Sequence, residues 1–450
     1  MAPTISFGVE LEFLVQIERV SVAPPQAAPM PRATRPKPIP FSAPMFSPAA
    51  VQEVANHICN TICGAGVRNV TISNVIDSSK APYISKWTVA QDASVIFPRN
   101  LIGDWLNIEL ISPPYSSAST TALSEVAKVV QCLATAYHIS LNPSCGFHVH
   151  CGIGLRQEDR IQLWLLKRLA LLFWAVDPVL SRLHPPERLI NTSVKSIRLD
   201  SRLVDTASMP DTQKILDHMS KEGYLLPQET DAKAEEEREL GLHCLTQNET
   251  PANNSPWKQQ SMGPQKQKDT RETLEKAWLL PWDDQAALTR HISVNEYSPI
   301  PQRPETINNA YEATCSELLL CANKAQIGVL LSSPSTMRPN YSFANYRYEQ
   351  YWDFSRRNQT VEFRQAGGTM DSQWIATWVK ICVGLMEYAR DTTMEELMGL
   401  SRKLEQRETG NYGTDCSVVD LLGEIGKDGD GLADVVKQRF EDVGRRGWYY

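Results

Sequence analysis

Along residues 4–17, Ile5, Phe7, Val9, Leu11, Phe13, Val15 and Ile17 all fall on one parity, while Gly8, Glu10, Glu12 and Gln16 fall on the other. A period of two held over that length is the pattern of a β-strand with one packed face. A helix would scatter the same apolar residues around its axis. Glu10 and Glu12 therefore leave the opposite face side by side, about 7 Å apart along the chain. A strand built to pack against a core carries two carboxylates on its other side, and that needs a chemical reason.

The same design recurs three times. In SCGFHVHCG, His148 and His150 share one face, and Phe147, Val149 and Cys151 share the other. In TVEFRQAGG, Glu362 and Arg364 project together, opposed by Val361 and Phe363. In LNIELISPP, Asn107 and Glu109 oppose Ile108 and Leu110. Any half-solvated strand alternates in this way. The residue types are what differ here. Solvated strands favour Thr, Lys, Ser and Gln, whereas these positions hold Glu, His and Arg, which bind metals and phosphates. Gly8, Gly146, Gly152, Gly367 and Gly368 lie beside them, and glycine permits close approach of a ligand or a second backbone.

Carboxylates gathered at one place repel one another and are costly to desolvate, so a cluster of them implies cations. Oxygen ligands with an occasional imidazole suit Mg²⁺ or Mn²⁺. Two such ions about 4 Å apart can bridge the phosphates of a nucleotide. Glu10 and Glu12 are accordingly read as ligands of neighbouring ions. A zinc site at Cys145, His148, His150 and Cys151 fits poorly. On a strand the cysteines oppose the histidines, and the spacing matches no usual finger. A cysteine nucleophile with a histidine base meets the same objection, unless Cys145 curls at the strand start. Cys59 and Cys63, four apart on an expected helix, read as core.

The rest of the chain reads as a mixture of helices and strands. Helices are expected near 49–63, 119–138, 160–176, 306–331 and 373–390, and strands near 67–76, 86–97, 105–112, 146–153 and 360–366. Prolines crowd residues 23–48, which argues for an exposed loop without helix or sheet. Residues 228–275 are polar and charged and read as a disordered insert. The tail, 393–450, reads as helical and charged.

Lys and Arg total 45 against 52 Asp and Glu, a net charge of −7, which argues against a broad nucleic-acid-binding face. The most apolar stretch, residues 164–176, is too short for a bilayer and contains Lys167 and Arg168. The start MAPTISFGVELEF lacks the form of a signal peptide, and the ten scattered cysteines include no CxxC pair. A cytoplasmic protein that engages neither membrane nor nucleic acid is expected.

FGVELEF, Asp92-Ala-Ser followed by NIELISPP, CGFHVHCG, and TVEFRQAGGTMD before an apolar helix occur in an order that resembles the amidoligase family. That family is similar to glutamine synthetase and glutamate–cysteine ligase, the carboxylate–amine ligases. The resemblance runs over about residues 4–390 and is interrupted at 21–50 and 228–275. Ala93 stands where the family usually has glycine.

The resemblance implies an α+β fold: a curved, mainly antiparallel sheet of glutamine-synthetase-like type, with helices on its outer face and ATP and two or three divalent ions on its concave face. It implies a catalytic domain over residues 1–395, which leaves 396–450 as a helical extension read from the tail itself. Glu12 and Glu109 would be ligands of one ion, and Glu10, His148 and Glu362 of another. His150 would contact the nucleotide phosphates. Arg364 would stabilise the transferring phosphoryl group, acting with Glu362 and His150 as catalytic residues. Asn107, on the face of Glu109, would bind nucleotide.

The implied activity is ATP-dependent formation of an amide or isopeptide bond through an acyl phosphate. Its partners would be small-molecule or peptide carboxylates and amines. Two other readings stay open: a guanidino-kinase-like phosphotransferase on a related sheet, and a non-catalytic nucleotide-binding scaffold. Arg182, Arg188 and Arg198 either bind a substrate carboxylate or form a solvated basic surface, the second being the simpler reading.

Overall fold

In the computed structural model the described residues are 4–19, 36–43, 47–67, 70–72, 85–97, 103–156, 159–185, 188, 194–203, 232–246, 310–333, 339–346, 360–409, 418–427 and 431–446. The strands are β1 (Ile5–Arg19), β2 (Ile39–Phe41), β3 (Val70–Ile72), β4 (Trp87–Ala90), β5 (Asp104–Ile111), β6 (Tyr115–Ser116), β7 (Ile139–Ser140), β8 (Gly146–Ile153), β9 (Tyr341–Ser342) and β10 (Val361–Gly367). The helices are α1 (Pro48–Gly64), α2 (Ala122–Ala136), α3 (Leu163–Ser181), α4 (Ile197–Asp200), α5 (Ala232–Thr246), α6 (Ala310–Leu320), α7 (Lys324–Leu330), α8 (Ser372–Asp391), α9 (Met394–Thr409), α10 (Val418–Glu424) and α11 (Leu432–Arg446).

The alternating strand β1 is the spine. It pairs antiparallel with β5 on one side and with β8 on the other, in a sheet ordered β3-β4-β5-β1-β8-β10-β9. The short strands β2, β6 and β7 add to β1. The fold is α+β, and the sheet is mostly antiparallel, with β1–β2 and β3–β4 running parallel.

Parity then fixes the layers. Ile5, Phe7, Val9, Leu11, Phe13, Val15 and Ile17 lie in the main core with Phe147, Val149, Ile108, Leu110, Val361 and Phe363. α8 packs on β1 and β8 from this side, and α3 packs on α8. α8 starts where Asp371 accepts hydrogen bonds from the backbone N–H of Gln373 and Trp374, at 2.9 and 3.1 Å, an N-cap that closes the first turn. Within α3, Lys167, Arg168 and Asp177 are buried, and each has partners. Lys167 Nζ donates to the Leu319 carbonyl at 2.7 Å, and Arg168 lies 3.6 Å from Glu237. No helix among the described residues is long and apolar enough to cross a membrane.

Three expectations need correction. Ile39–Phe41, inside the proline-rich stretch, forms a strand parallel to β1 with Ile39 and Phe41 buried; the intervening Pro40 is exposed, so its missing N–H is tolerated. Ala232–Thr246, inside the stretch read as disordered, forms α5, which packs on α3, α6 and α9. The expected long helix at 306–331 is two, because Asn323 caps a fresh start by accepting from Gln326 N at 3.0 Å. Residues 20–35, 44–46, 228–231 and 247–275 lie outside the described residues.

Candidate active site on the polar face of the sheet

Register brings the polar residues of four strands together. Glu10 is paired with His148, Glu12 with Glu109, Leu14 with Asn107, and Glu362 with His150. All of these leave the face away from the helices, because each occupies the parity opposite the core.

Two groups of potential ligand atoms result. In the first, the ligand atoms of Glu10, His148 and Glu362 lie within 4.8 Å of one another; in the second, those of Glu12, Asp92 and Glu109 do. His148 joins them: its Nδ1 is 3.2 Å from Glu10 and 3.6 Å from Glu362, and its Nε2 is 3.6 Å from Glu12. His150 Nε2 lies 2.9 Å from Glu10 and 3.8 Å from Glu362. Arg364 pairs with Glu362. Glu10 is 18% and His150 26% exposed, whereas Glu12 and His148 are buried. Gly146 makes room for this packing. Its N–H donates to Glu12 at 2.6 Å, and a Cβ there would collide with His148 Nε2.

The electrostatics follow from burial and proximity. Burial pushes Glu109 well up, and Glu10, Asp92 and Glu12 push the same way. Burial also raises Glu12, against the pull of His148. Glu10 and Glu362 go the other way. Burial alone would raise them, but His150 and His148 hold Glu10 well below the usual range, and Arg364 with the two histidines lowers Glu362. His150 is raised to about 9: burial opposes its charge, but Glu10 and Glu362 favour it more. Five carboxylates against so few cations leave an acidic deficit that divalent ions can neutralise, and the carboxylate-plus-imidazole donor set suits Mg²⁺ or Mn²⁺.

Asp92 joins the second group although the sequence reading gave it no role beyond its motif. Its signal was present in the Asp92-Ala-Ser turn ahead of NIELISPP, but that turn's return to β5 depends on long-range contacts. Ser94 N donates to Asp92 Oδ1 at 2.7 Å, closing the turn with Ala93 inside it. Asn107 Nδ2 donates to the carbonyls of Asp92 and Val95 at 2.5 and 3.3 Å, and its Oδ1 accepts from Gln91 at 2.8 Å. Asn142 and Ser144 hold Ile96, and a small apolar cluster of Leu14, Val95 and Cys145 lies beneath the turn. Asn107 is buried, and its carboxamide is used in this turn.

Thr360 also escaped the sequence reading. Its hydroxyl lies 3.3 Å from His150 Nδ1 and accepts from Asn345 at 3.1 Å. Parity puts both cysteines opposite the histidines, and Cys145 departs from it. Cys151 lies in the main core, but Cys145, just before β8, sits on the polar face with Leu14 and Val95. Burial pushes its thiol up to about 12, which makes it a poor nucleophile.

The solvated-surface reading fails for two of the three arginines. Arg188 and Arg198 are buried, and Arg182 is exposed. Arg198 pairs with Glu405 at 2.9 Å and lies over the Trp174 ring. Arg188 donates to main-chain carbonyls of β10.

Among comparisons with known proteins, the model of the family described as "Putative amidoligase enzyme" matches residues 3–245, more than half of the 450-residue chain. The matched region contains Glu10, Glu12, Asp92, Glu109, His148 and His150; Glu362 and Arg364 lie beyond it. No curated protein and no solved structure matches the chain.

Proposed function

Because the chain belongs to the amidoligase family, a family of ligase-type enzymes, we propose that it is an ATP-dependent carboxylate–amine ligase of glutamine-synthetase-like type. Its product is an amide or isopeptide bond, and its substrates are small-molecule or peptide acids and amines. The supporting observation is the junction of the two ligand groups at His148, with Arg364 alongside.

A carboxylate does not condense with an amine at neutral pH because its oxygen is a poor leaving group. Transfer of the γ-phosphoryl of ATP to that oxygen forms an acyl phosphate and releases ADP. The amine nitrogen then attacks the acyl carbon, the C–O bond to phosphate breaks, and the amine loses a proton. The sum is condensation with loss of the elements of water, driven by ATP hydrolysis.

Glu10, His148 and Glu362 would hold one divalent ion, and Glu12, Asp92 and Glu109 a second. These ions supply charge neutralisation for the polyphosphate and the acid. His150, whose Nε2 lies between Glu10 and Glu362, would contact the phosphates. Arg364, ordered by Glu362, offers its guanidinium where negative charge grows on the phosphoryl group in flight. Burial of Glu12, His148 and Arg364 limits access of water to the acyl phosphate on that side.

The test is incubation with ATP, Mg²⁺ and mixed amino acids and peptides, with mass spectrometry of the products. A species lighter than two inputs by one water, formed by the wild type and absent with Arg364→Ala, supports the reading. A phosphorylated amine or guanidine in its place would make the protein a phosphotransferase.

A further inference from the structure

β10 does not run straight past the site. Its pairing with β8 steps from Phe363–Val149 to Ala366–Phe147, so three steps on β10 span two on β8. This is a bulge, a device that re-aims a side chain and leaves backbone groups without ladder partners. Arg364 and Gln365 occupy it. Both residues are held from outside the β8–β10 ladder, Arg364 in line with the β9 register of Glu362–Ser342 and Phe363–Tyr341. The Arg364 N–H donates to the Asn340 carbonyl at 2.8 Å. The Arg364 carbonyl accepts from Arg188 Nη2 at 2.8 Å, and the Gln365 carbonyl lies 3.4 Å from Arg188 Nε.

We propose that Arg188 is a positioning residue: it grips the bulge of β10 from behind and thereby aims the Arg364 guanidinium at the phosphoryl group. The inference rests on the ligase reading, in which Arg364 serves that group. Arg188 is only 3% exposed, so it is withdrawn from solvent and from any large substrate. Burying a guanidinium is costly unless its donors are used, and here its fork spans two successive carbonyls of the bulge. Lysine carries the same charge but has no planar fork with which to hold both. Asn340 secures the other side of the same residue. Its Nδ2 donates to the buried Asp177, and its Oδ1 accepts from Ile197 N and Tyr341 N, each at 3.0 Å. Arg364 is thus held by its own main chain from both directions while its side chain stays with Glu362.

The experiment compares full-length wild type, Arg188→Lys, Arg188→Met and Arg364→Ala. It measures ATP consumption with the amino-acid mixture and Mg²⁺, together with Mn²⁺ affinity and circular dichroism. Arg188→Lys is expected to lose about 10- to 100-fold in kcat, the cost of a small misplacement of a catalytic group. Its KM for ATP and its Mn²⁺ affinity should stay within about twofold of wild type, the signature of an interaction made in the transition state. A general structural defect would move all three quantities together, and that result overturns the proposal. Wild-type kcat in Arg188→Lys beside a large loss in Arg364→Ala also overturns it. If Arg188→Met does not fold, the lysine variant decides. A wild type that consumes no ATP overturns the ligase reading, and this inference with it.

Discussion

Glu12 and Glu109 stand directly opposite each other across the β1–β5 ladder. Like charges in that relation destabilise a sheet, and here both are pushed towards their protonated forms by burial and by neighbouring carboxylates. The pair makes sense if a cation shares it. Mn²⁺ or Mg²⁺ should therefore raise the thermal unfolding midpoint, by the equivalent of about 2.7 kcal/mol at a hundred times Kd. Glu109→Gln removes the repulsion while keeping the shape. Its metal-free midpoint should match or exceed the wild type's, and its response to Mn²⁺ should shrink. Equal Mn²⁺ responses in the two proteins, read by differential scanning calorimetry, would remove Glu109 from the ligand set.

The pH dependence of metal-free stability has a definite sign. His150 is raised from 6.5 to about 9, so its contribution is complete below 6.5 and is lost as pH rises through 9. Glu109 is also raised, and acts in the same sense from its ordinary value of 4.5 upward. Glu10 and Glu362 are lowered, so their contributions are present above 4.5 and are lost as pH falls below it. Stability should be greatest in the mildly acidic range and decline towards pH 9. Added Mn²⁺ should flatten the alkaline decline, because a cation replaces the lost proton charge. A midpoint that rises steadily from pH 6.5 to 9 would contradict the coupling of His150 to Glu10 and Glu362.

The alternation in Ile5–Arg19 made the central strand legible, and the parities of His148, His150, Glu109, Glu362 and Arg364 put them on the correct face, because a period of two is a local property. Whether those residues meet depends on strand order and register, which are long-range, and only the resemblance to a family supplied them. The turn carrying Asp92 is held by Asn107, Asn142 and Ser144 from distant segments, so nothing near it in sequence reveals its destination. Arg188 misled for the same reason. An arginine near two prolines looks solvated until the carbonyls of Arg364 and Gln365 are known to lie beside it. The helix Ala232–Thr246 escaped because its charges suggested solvent on every side; yet Ala234, Glu237 and Gly241 are buried on it, and Glu237 faces Arg168.

Gly146 should tolerate no side chain. A methyl group at this position would meet His148 Nε2 and crowd Glu12, whose carboxylate accepts the Gly146 N–H. The ring must turn or the strand must shift, and either change disturbs both ligand groups through one residue. Gly146→Ala is expected to weaken Mn²⁺ binding by about 10- to 100-fold, the range seen when groups that orient metal ligands are changed. Titration calorimetry with Mn²⁺ is the check. Affinity within twofold of wild type would mean that His148 has room to move and does not set the geometry of the two groups.

Asn107 separates two roles that share a location. It lies next but one to Glu109 on the site face, where a nucleotide contact is a natural expectation, but its amide donates to the carbonyls of Asp92 and Val95 and its oxygen accepts from Gln91. With those commitments its work is to hold Asp92 over Glu12 and Glu109. Asn107→Ala should free the turn, remove one ligand from the second group and cost about 10- to 100-fold in affinity for the ion held there. The group formed by Glu10, His148 and Glu362 contains no part of that turn, so one class of Mn²⁺ site should survive with wild-type affinity. Calorimetric titration of the variant should then show one strong and one weakened class of site. Loss of ADP affinity measured without metal, with Mn²⁺ binding intact, would instead make Asn107 a direct nucleotide contact.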